Sequence, residues 1–391
     1  MRALSACWLL QAVCHLTWWP HGAVGYSTLG HHRIAVVADT LLSGSVSRRI
    51  YSKLKGTLQD HHDWERTMLK KYPSIEPLHF HNQHPEWTCN LMLQKESVVK
   101  CNTSVAEEGS LVCALAYFYD RYSHDPLKLA FPRSKLAADM PTLLKVLSPI
   151  SETDQTSVNE LRWLISLIGD VHQPLHILKE HNYGKDVKVT YKDKEYTLYS
   201  FFEEELPKQL PQEIDVKKAK GGFEKAKKRF VWNRAHELFS MWARESALGL
   251  CGQVYAKLAG VETQKLRDNE DIARELGKKW KNNTTPFVID DALFAHFSKM
   301  VDDLTLVAGA RVAAVLHDVL LHEDHKHAEG HGQGRFHRMA IRTPDAMLVN
   351  FLIGGPVAGV LVFVLLWHES GCNLNFLRGN RADMKREKRE S

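Results

Sequence analysis

The sequence predicts a mainly α protein: a single helical domain with a small β-hairpin, followed by one C-terminal transmembrane helix. Three observations carry this. Apolar residues recur at three- and four-residue spacing over most of the chain from Tyr26 to Leu321. One stretch, residues 185–199, alternates instead, with Val187, Val189 and Tyr191 leading into a Lys-Asp-Lys turn. Near the end, Ala346 to Trp367 carries no charged residue, and at about 1.5 Å of rise per residue it reaches about 33 Å, enough for a bilayer core.

The two ends set the compartment. Arg2 opens residues 1–25, Ala3 to Trp19 is largely apolar but short, and Ala23 and Gly25 put small residues where a signal peptidase reads. Cleavage there makes Tyr26 the first residue. Beyond the apolar span, Arg378, Arg381, Lys385, Arg386, Lys388 and Arg389 form a basic tail that obeys the positive-inside rule. The chain therefore reads as signal peptide 1–25, ectodomain 26–321, His-rich stalk 322–345, transmembrane helix 346–367 and cytoplasmic tail 368–391. This is a type I single-pass protein of the secretory pathway, at the cell surface or in an endolysosomal lumen. In that compartment Cys89, Cys101, Cys113 and Cys251 can form two bridges in any of three pairings. Asn102 and Asn282 begin glycosylation sequons.

Within the ectodomain a first helix begins near His31, with a loop at Leu42-Ser-Gly-Ser, and residues 73–87 read as irregular. Further helices follow at residues 110–122, at 135–147 with a break at Pro141, and at 160–170. After the hairpin come helices at 224–249, 272–280 and 290–322. The lysine-rich run 217–228 reads as a solvated face that can help attract nucleic acid. The net charge of +5 in 391 residues suits a polyanionic partner without demanding one. No Walker loop, GxSxG or HExxH is present. There is no internal repeat and no sign of an obligate protein partner.

The chemistry concentrates in residues 160–176, ELRWLISLIGDVHQPLH. Leu161, Leu164, Ile165 and Ile168 make an apolar stripe, and Pro174 ends the helix. Asp170 thus sits near a buried helix C-terminus, where the macrodipole disfavours a carboxylate. A divalent metal flanked by His172 and His176 supplies the missing cation; a capping Asp with two turn histidines is the plainer alternative. The 22 histidines of the chain are a weak compositional hint of metal.

The run IGDVHQPLH resembles the signature of the zinc-dependent single-strand-specific nucleases and 3′-nucleotidases of the S-one/P-one type. The similarity shows again in Pro77-Leu-His-Phe, Trp242-Ala-Arg-Glu-Ser and Gly309-Ala-Arg. It implies a helical fold shared with zinc phospholipase C, up to three zinc ions, and single-stranded nucleic acid or nucleotides as substrate. It also favours the pairings Cys89–Cys251 and Cys101–Cys113. By the same resemblance Asp170 bridges two metals. One takes Asp63 and His79, and the other takes His31 with the amine and carbonyl of Tyr26. A third takes His176 and Glu203, with Tyr199 at the position of a further family ligand. Arg66 matches a phosphate-clamping arginine, Phe80 a base-stacking aromatic, and Asn82 a group that reads the base edge.

Two expected ligands are replaced. Ser166 stands where the family has a histidine one helical turn before the bridging aspartate, and Tyr199 stands in place of another. A phenol with an intrinsic pKa of about 10 is a poor substitute, so fewer or weaker zinc ions are expected. Two readings follow: a membrane-anchored zinc endonuclease with 3′-nucleotidase activity, or a catalytically impaired relative that binds without turnover. Zinc phospholipase C is a more distant third.

Overall fold

The computed structural model describes residues 26–81, 88–89, 111–122, 141–232, 235–262, 269–281 and 285–321. The chain divides into two units, Met1–Gly330 and His331–Ser391, and the second lies wholly outside the described residues. So do the expected signal peptide, stalk, transmembrane span and tail, together with Asn82, Cys101, Asn102 and Asn282.

The first helix, α1 (Thr28–Leu41), starts where the Ser27 hydroxyl accepts the amide hydrogen of Gly30, a side-chain cap that fixes the position of Tyr26 just before it. Its inner face is Ile34, Ala35, Val37 and Ala38. Ser43 then turns extended and the chain re-enters a helix at once as α2 (Gly44–Leu54), whose Val46, Ile50 and Leu54 form one buried stripe. The expected loop is therefore only a two-residue break. After α3 (Trp64–Lys71) the segment expected to be irregular forms a 3-10 turn, Pro73–His79. Pro73 and Pro77 favour this tighter winding because neither has an amide hydrogen to give to an α-helical ladder.

Helix α4 (Leu111–Tyr122), α5 (Pro141–Leu147) and α6 (Ser157–Asp170) follow. Thr156 caps α6 through the amide of Asn159, and a 3-10 turn at Pro174–His176 comes soon after the helix ends. The predicted hairpin forms as β1 (Lys188–Tyr191) and β2 (Lys194–Thr197), with Val189 opposite Tyr196 and Tyr191 opposite Lys194. Lys192 and Asp193 both take positive φ, the geometry that suits a two-residue hairpin turn. A two-residue strand, β3 (Phe287–Val288), adds a parallel partner to β1 and gives the order β2-β1-β3. Two residues are too few to show as a pattern in sequence.

A helical run, α7, begins at Leu198–Ser200, widens into a π-helical turn at Phe201–Glu205 and closes at Leu206–Lys208. Then come α8 (Val216–Trp232) and α9 (Ala235–Gly249). The latter continues through a second π-helical turn, Leu250–Tyr255, into Ala256–Leu258. Helices α10 (Asn269–Lys281) and α11 (Asp291–Leu321) complete the list. The lysine-rich run is thus helical: Ala219, Ala226 and Phe230 are buried beneath the exposed lysines, α8 packs on α11, and Phe230 reaches Tyr119, Phe239 and Trp242.

Helix α11 is long and apolar enough to cross a membrane, but 72% of its most apolar window is buried inside the protein. It packs against α1 and α8. Gly309 makes the first of these contacts possible, since a Cβ there would lie 2.5 Å from Val37 Cβ and 2.8 Å from the Ile34 carbonyl oxygen. Around α4, α6 and α9 the core is aromatic, with Phe239 and Trp242 centroids 5.2 Å apart and Tyr119 beside Phe239. Cys89–Cys251 is a disulfide closing a 162-residue separation, a link that stabilises such a domain by about 2–4 kcal/mol. Cys113 is disulfide-bonded as well. The start of α1, the start of α3, the end of α6, the two 3-10 turns and the π-helical turn of α7 all supply residues to one buried cluster.

Candidate metal centre

Asp170, fully buried as the last residue of α6, is the hub of that cluster. Its Oδ2 lies 2.7 Å from His79 Nδ1. Its Oδ1 lies 3.3 Å from His31 Nε2, 3.7 Å from His176 Nδ1 and 2.9 Å from the backbone nitrogen of Tyr26. Glu65 on α3 joins it, with Oε1 2.9 Å from His31 Nε2 and Oε2 3.8 Å from His79 Nδ1. His31, Glu65 and Asp170 each offer a ligand atom within 4.8 Å of the others, close enough to hold one metal ion.

Local sequence explains each placement. Glu65 shares the buried face of α3 with Met68 and Leu69, so helical periodicity turns its carboxylate inward. Gly169 lets α1 approach α6, because a Cβ there would come within 2.8 Å of His31 Cε1 and Nδ1. The backbone of His81 donates to the carbonyl of His176 at 2.7 Å, tying the His79 segment to the signature turn. Trp163 of α6 packs behind His79, with ring centroids 5.8 Å apart.

The exit turn after Asp170 is braced from the far side. Arg311 can only donate, so His172 Nε2 accepts from it at 2.7 Å, and Nδ1 carries the hydrogen given to the Ile168 carbonyl at 2.6 Å. Arg311 also pairs with Glu245 and lies over Trp242. Ser246 donates to the Val171 carbonyl at 2.6 Å. Burial and the neighbouring guanidinium keep the His172 imidazole far below its usual pKa, so it stays neutral. His172 is therefore a hydrogen-bonded brace and is not directed at the cluster by any contact among the described residues.

Electrostatics favour a cation. Burial would lower the His31 imidazole, but Glu65 and the hydrogen bond to Asp170 outweigh it and hold the pKa up at about 10. His79 is likewise raised, its burial overcome by Asp170. Burial would raise the Asp170 carboxyl, yet His79 and His31 together hold it well below the usual carboxylate range. His31 Nε2, both Glu65 oxygens, His79 Nε2, His176 Nδ1 and Glu203 Oε2 are buried without a hydrogen-bond partner of ordinary geometry among the described residues. Unpartnered buried carboxylates and imidazoles are costly. Nitrogen and oxygen donors of this kind suit zinc. The set around Asp170 fits a metal.

A second group lies beside it. His176 Nε2 is 3.4 Å from Glu203 Oε1 and 3.4 Å from the Tyr199 hydroxyl, and the His176 and Tyr199 rings stack 5.9 Å apart. Gln173 donates to Glu203 and accepts from the Leu175 amide. Burial, with Glu203 and Asp170 nearby, raises the Tyr199 phenol well above its ordinary value, so the group stays a neutral hydroxyl. Burial also raises the Glu203 carboxyl, against the opposing pull of His176.

Of the residues expected from sequence, Tyr26, His31, His79, Asp170, His176 and Glu203 come together here. Asp63 does not: it is exposed as the residue before α3, and Glu65 stands in the cluster instead. The apolar stripe of α3 was the signal that distinguishes the two acids flanking Trp64. Arg66 is half-buried next to Glu65. Phe80 is not an open platform; it is 4% exposed and packs on His176 and Tyr183, with Lys185 Nζ 4.8 Å from its centroid. An aromatic surrounded by apolar rings buries its face for stability. Ser166 borders a cavity of about 20 Å³ shared with His31, His61 and His62, room for about one water.

No curated protein matches the sequence significantly. The model of the S1/P1 nuclease family matches residues 26–321, the span that contains every element and every side chain described above. The buried cluster, the signature turn and this match agree, and the chain belongs to the S1/P1 nuclease family.

Proposed function

We propose that the protein is a membrane-anchored, zinc-dependent nuclease that hydrolyses phosphodiester bonds of single-stranded RNA and DNA and releases phosphate from 3′-nucleotides. The observation that carries this is the convergence of buried imidazole and carboxylate groups on Asp170, together with the Tyr26 backbone nitrogen 2.9 Å away. In this reading Asp170, His31, Glu65 and His79, with the amine and carbonyl of Tyr26, are the residues that would hold the zinc. Signal cleavage before Tyr26 turns its nitrogen into a free amine at that position. Zinc bound there polarises a phosphoryl oxygen and lowers the pKa of water.

The chain's own residues do the rest. The α3 stripe and the Gly169 approach bring Glu65 and His31 to face one another. The brace of His172, Arg311 and Ser246 holds the turn that carries Asp170 and His176. Near-complete burial excludes water from the ligand atoms and strengthens each charge interaction. The water-sized cavity beside Ser166 leaves room for solvent where the family places an imidazole. Membrane anchoring rests on residues 346–367, and the lumenal or extracellular setting rests on the disulfide and the leader 1–25.

The test is cleavage of a single-stranded oligonucleotide, a duplex of the same sequence and a 3′-nucleotide by the purified protein, before and after chelation and with zinc restored. Zinc-restored cleavage confined to the single strand, with phosphate released from the nucleotide, is expected. Zinc uptake with no hydrolysis of any of the three sinks the enzyme reading and leaves the binding protein to which Tyr199 and Ser166 point.

A further inference from the structure

Four successive residues, His181, Asn182, Tyr183 and Gly184, take left-handed backbone conformations with φ of 53°, 52°, 58° and 78°. Three of them carry a Cβ, which disfavours this region, and such a run persists only where its surroundings over-determine it. Here they do. The His181 ring stacks on Trp280 at 4.4 Å, and the His181 carbonyl accepts from the Gly184 and Asp186 amides. A Cβ on Gly184 would meet Leu175 Cδ2 at 2.8 Å. The next residue this turn delivers is Lys185.

Lys185 Nζ lies 4.8 Å from the Phe80 centroid, 5.1 Å from the Tyr199 centroid and 3.7 Å from Glu76 Oε1. Its side chain is 30% exposed, so an anion from solvent can reach it. Tyr199 stacks on His176, so the ammonium stands over the group formed by His176, Tyr199 and Glu203. That group is one strong donor short. A zinc site needs at least three protein ligands; His176 and Glu203 qualify, while the third side chain within reach, Tyr199, offers a phenol where such sites use imidazole, thiolate or carboxylate. These residues do not fit a metal.

We propose that this position holds no metal and that Lys185 supplies its positive charge, binding a phosphate oxygen of the nucleotide substrate. The proposal rests on the nuclease reading above. A lysine ammonium is a compact point charge with three donors, which suits a phosphate oxygen at an open rim. The strained turn is the device that holds it there.

The test uses the full-length protein loaded with zinc and inorganic phosphate as the probe. Metal analysis should give two zinc ions per chain, rising to three in Tyr199→His. Lys185→Gln should keep two zinc ions and bind phosphate about tenfold more weakly, the size of a lost charge-assisted hydrogen bond. Lys185→Arg should recover most of that loss. A third zinc ion in the wild type, or phosphate binding by Lys185→Gln equal to wild type, overturns the proposal and leaves Lys185 a packing residue. Phosphate binding is read without turnover, so a failure to cleave nucleic acid counts against the nuclease reading alone.

Discussion

At the scale of single residues the site turns on which acid of Asp63-Trp-Glu65 faces inward. The resemblance suggested Asp63, whereas it is Glu65 that is buried, with Met68 and Leu69, and the proposed function uses Glu65. Glu65→Ala should therefore lose zinc affinity by more than the roughly 100-fold typical of changes outside the ligand sphere, and hydrolysis with it. Asp63→Ala should leave both near wild type; equal losses in the two variants would show the assignment to be wrong. Proton linkage offers a second check. In the metal-free protein His31 is held at about 10, so it is protonated at neutral pH and must lose that proton to bind a metal. Zinc affinity should rise by about tenfold per pH unit for each proton released, up to about pH 10. Calorimetry in two buffers of different ionisation enthalpy reads the release directly, and no release would contradict the geometry at His31. His31, His79, Asp170 and His176 were legible in sequence because their types and spacing match a known pattern. Lys185 was not, because its importance comes from a left-handed turn that no spacing rule reveals.

At the scale of elements, two glycines set how closely α1 approaches α11 and α6. Gly309→Ala drives a methyl group into Val37 and the Ile34 carbonyl of α1, overpacking of a kind that costs about 1–3 kcal/mol. It should lower the unfolding midpoint. Gly169→Ala instead meets the His31 ring, so its larger effect should be on zinc affinity, measured by competition with a chelator. Arg311→Met leaves the buried His172 Nε2 without its donor, a loss of about 1–3 kcal/mol that denaturant titration should detect, with weaker zinc binding as the turn loosens. A variant as stable as wild type would remove the brace from the account. The longer helices and the hairpin were readable from apolar period alone. The early start of α8 was masked because its buried residues Ala219 and Ala226 are small and lie among lysines. The same is true of the turn at 73–79, where two prolines suggest irregularity but permit 3-10 winding.

At the scale of the whole molecule, the proposed function makes leader cleavage a condition for completing the metal site. Ser27 caps α1 and so fixes Tyr26, whose buried backbone nitrogen faces Asp170. One extra residue ahead of Tyr26 removes the free amine from this position, and such a protein should fold normally yet hydrolyse nothing. The family and the helical architecture were legible from residues 168–176 and from the apolar periodicity. The union of the start of α1 with the end of α6 depends on the close approach at Gly169, which becomes visible only in three dimensions. Whether Asp170 and the residues converging on it form a zinc centre is read from the metal content of the purified mature protein. Two zinc ions per chain in the wild type and none in a folded Asp170→Ala variant are predicted; a folded wild type that takes up no zinc would show that these residues are not a metal site.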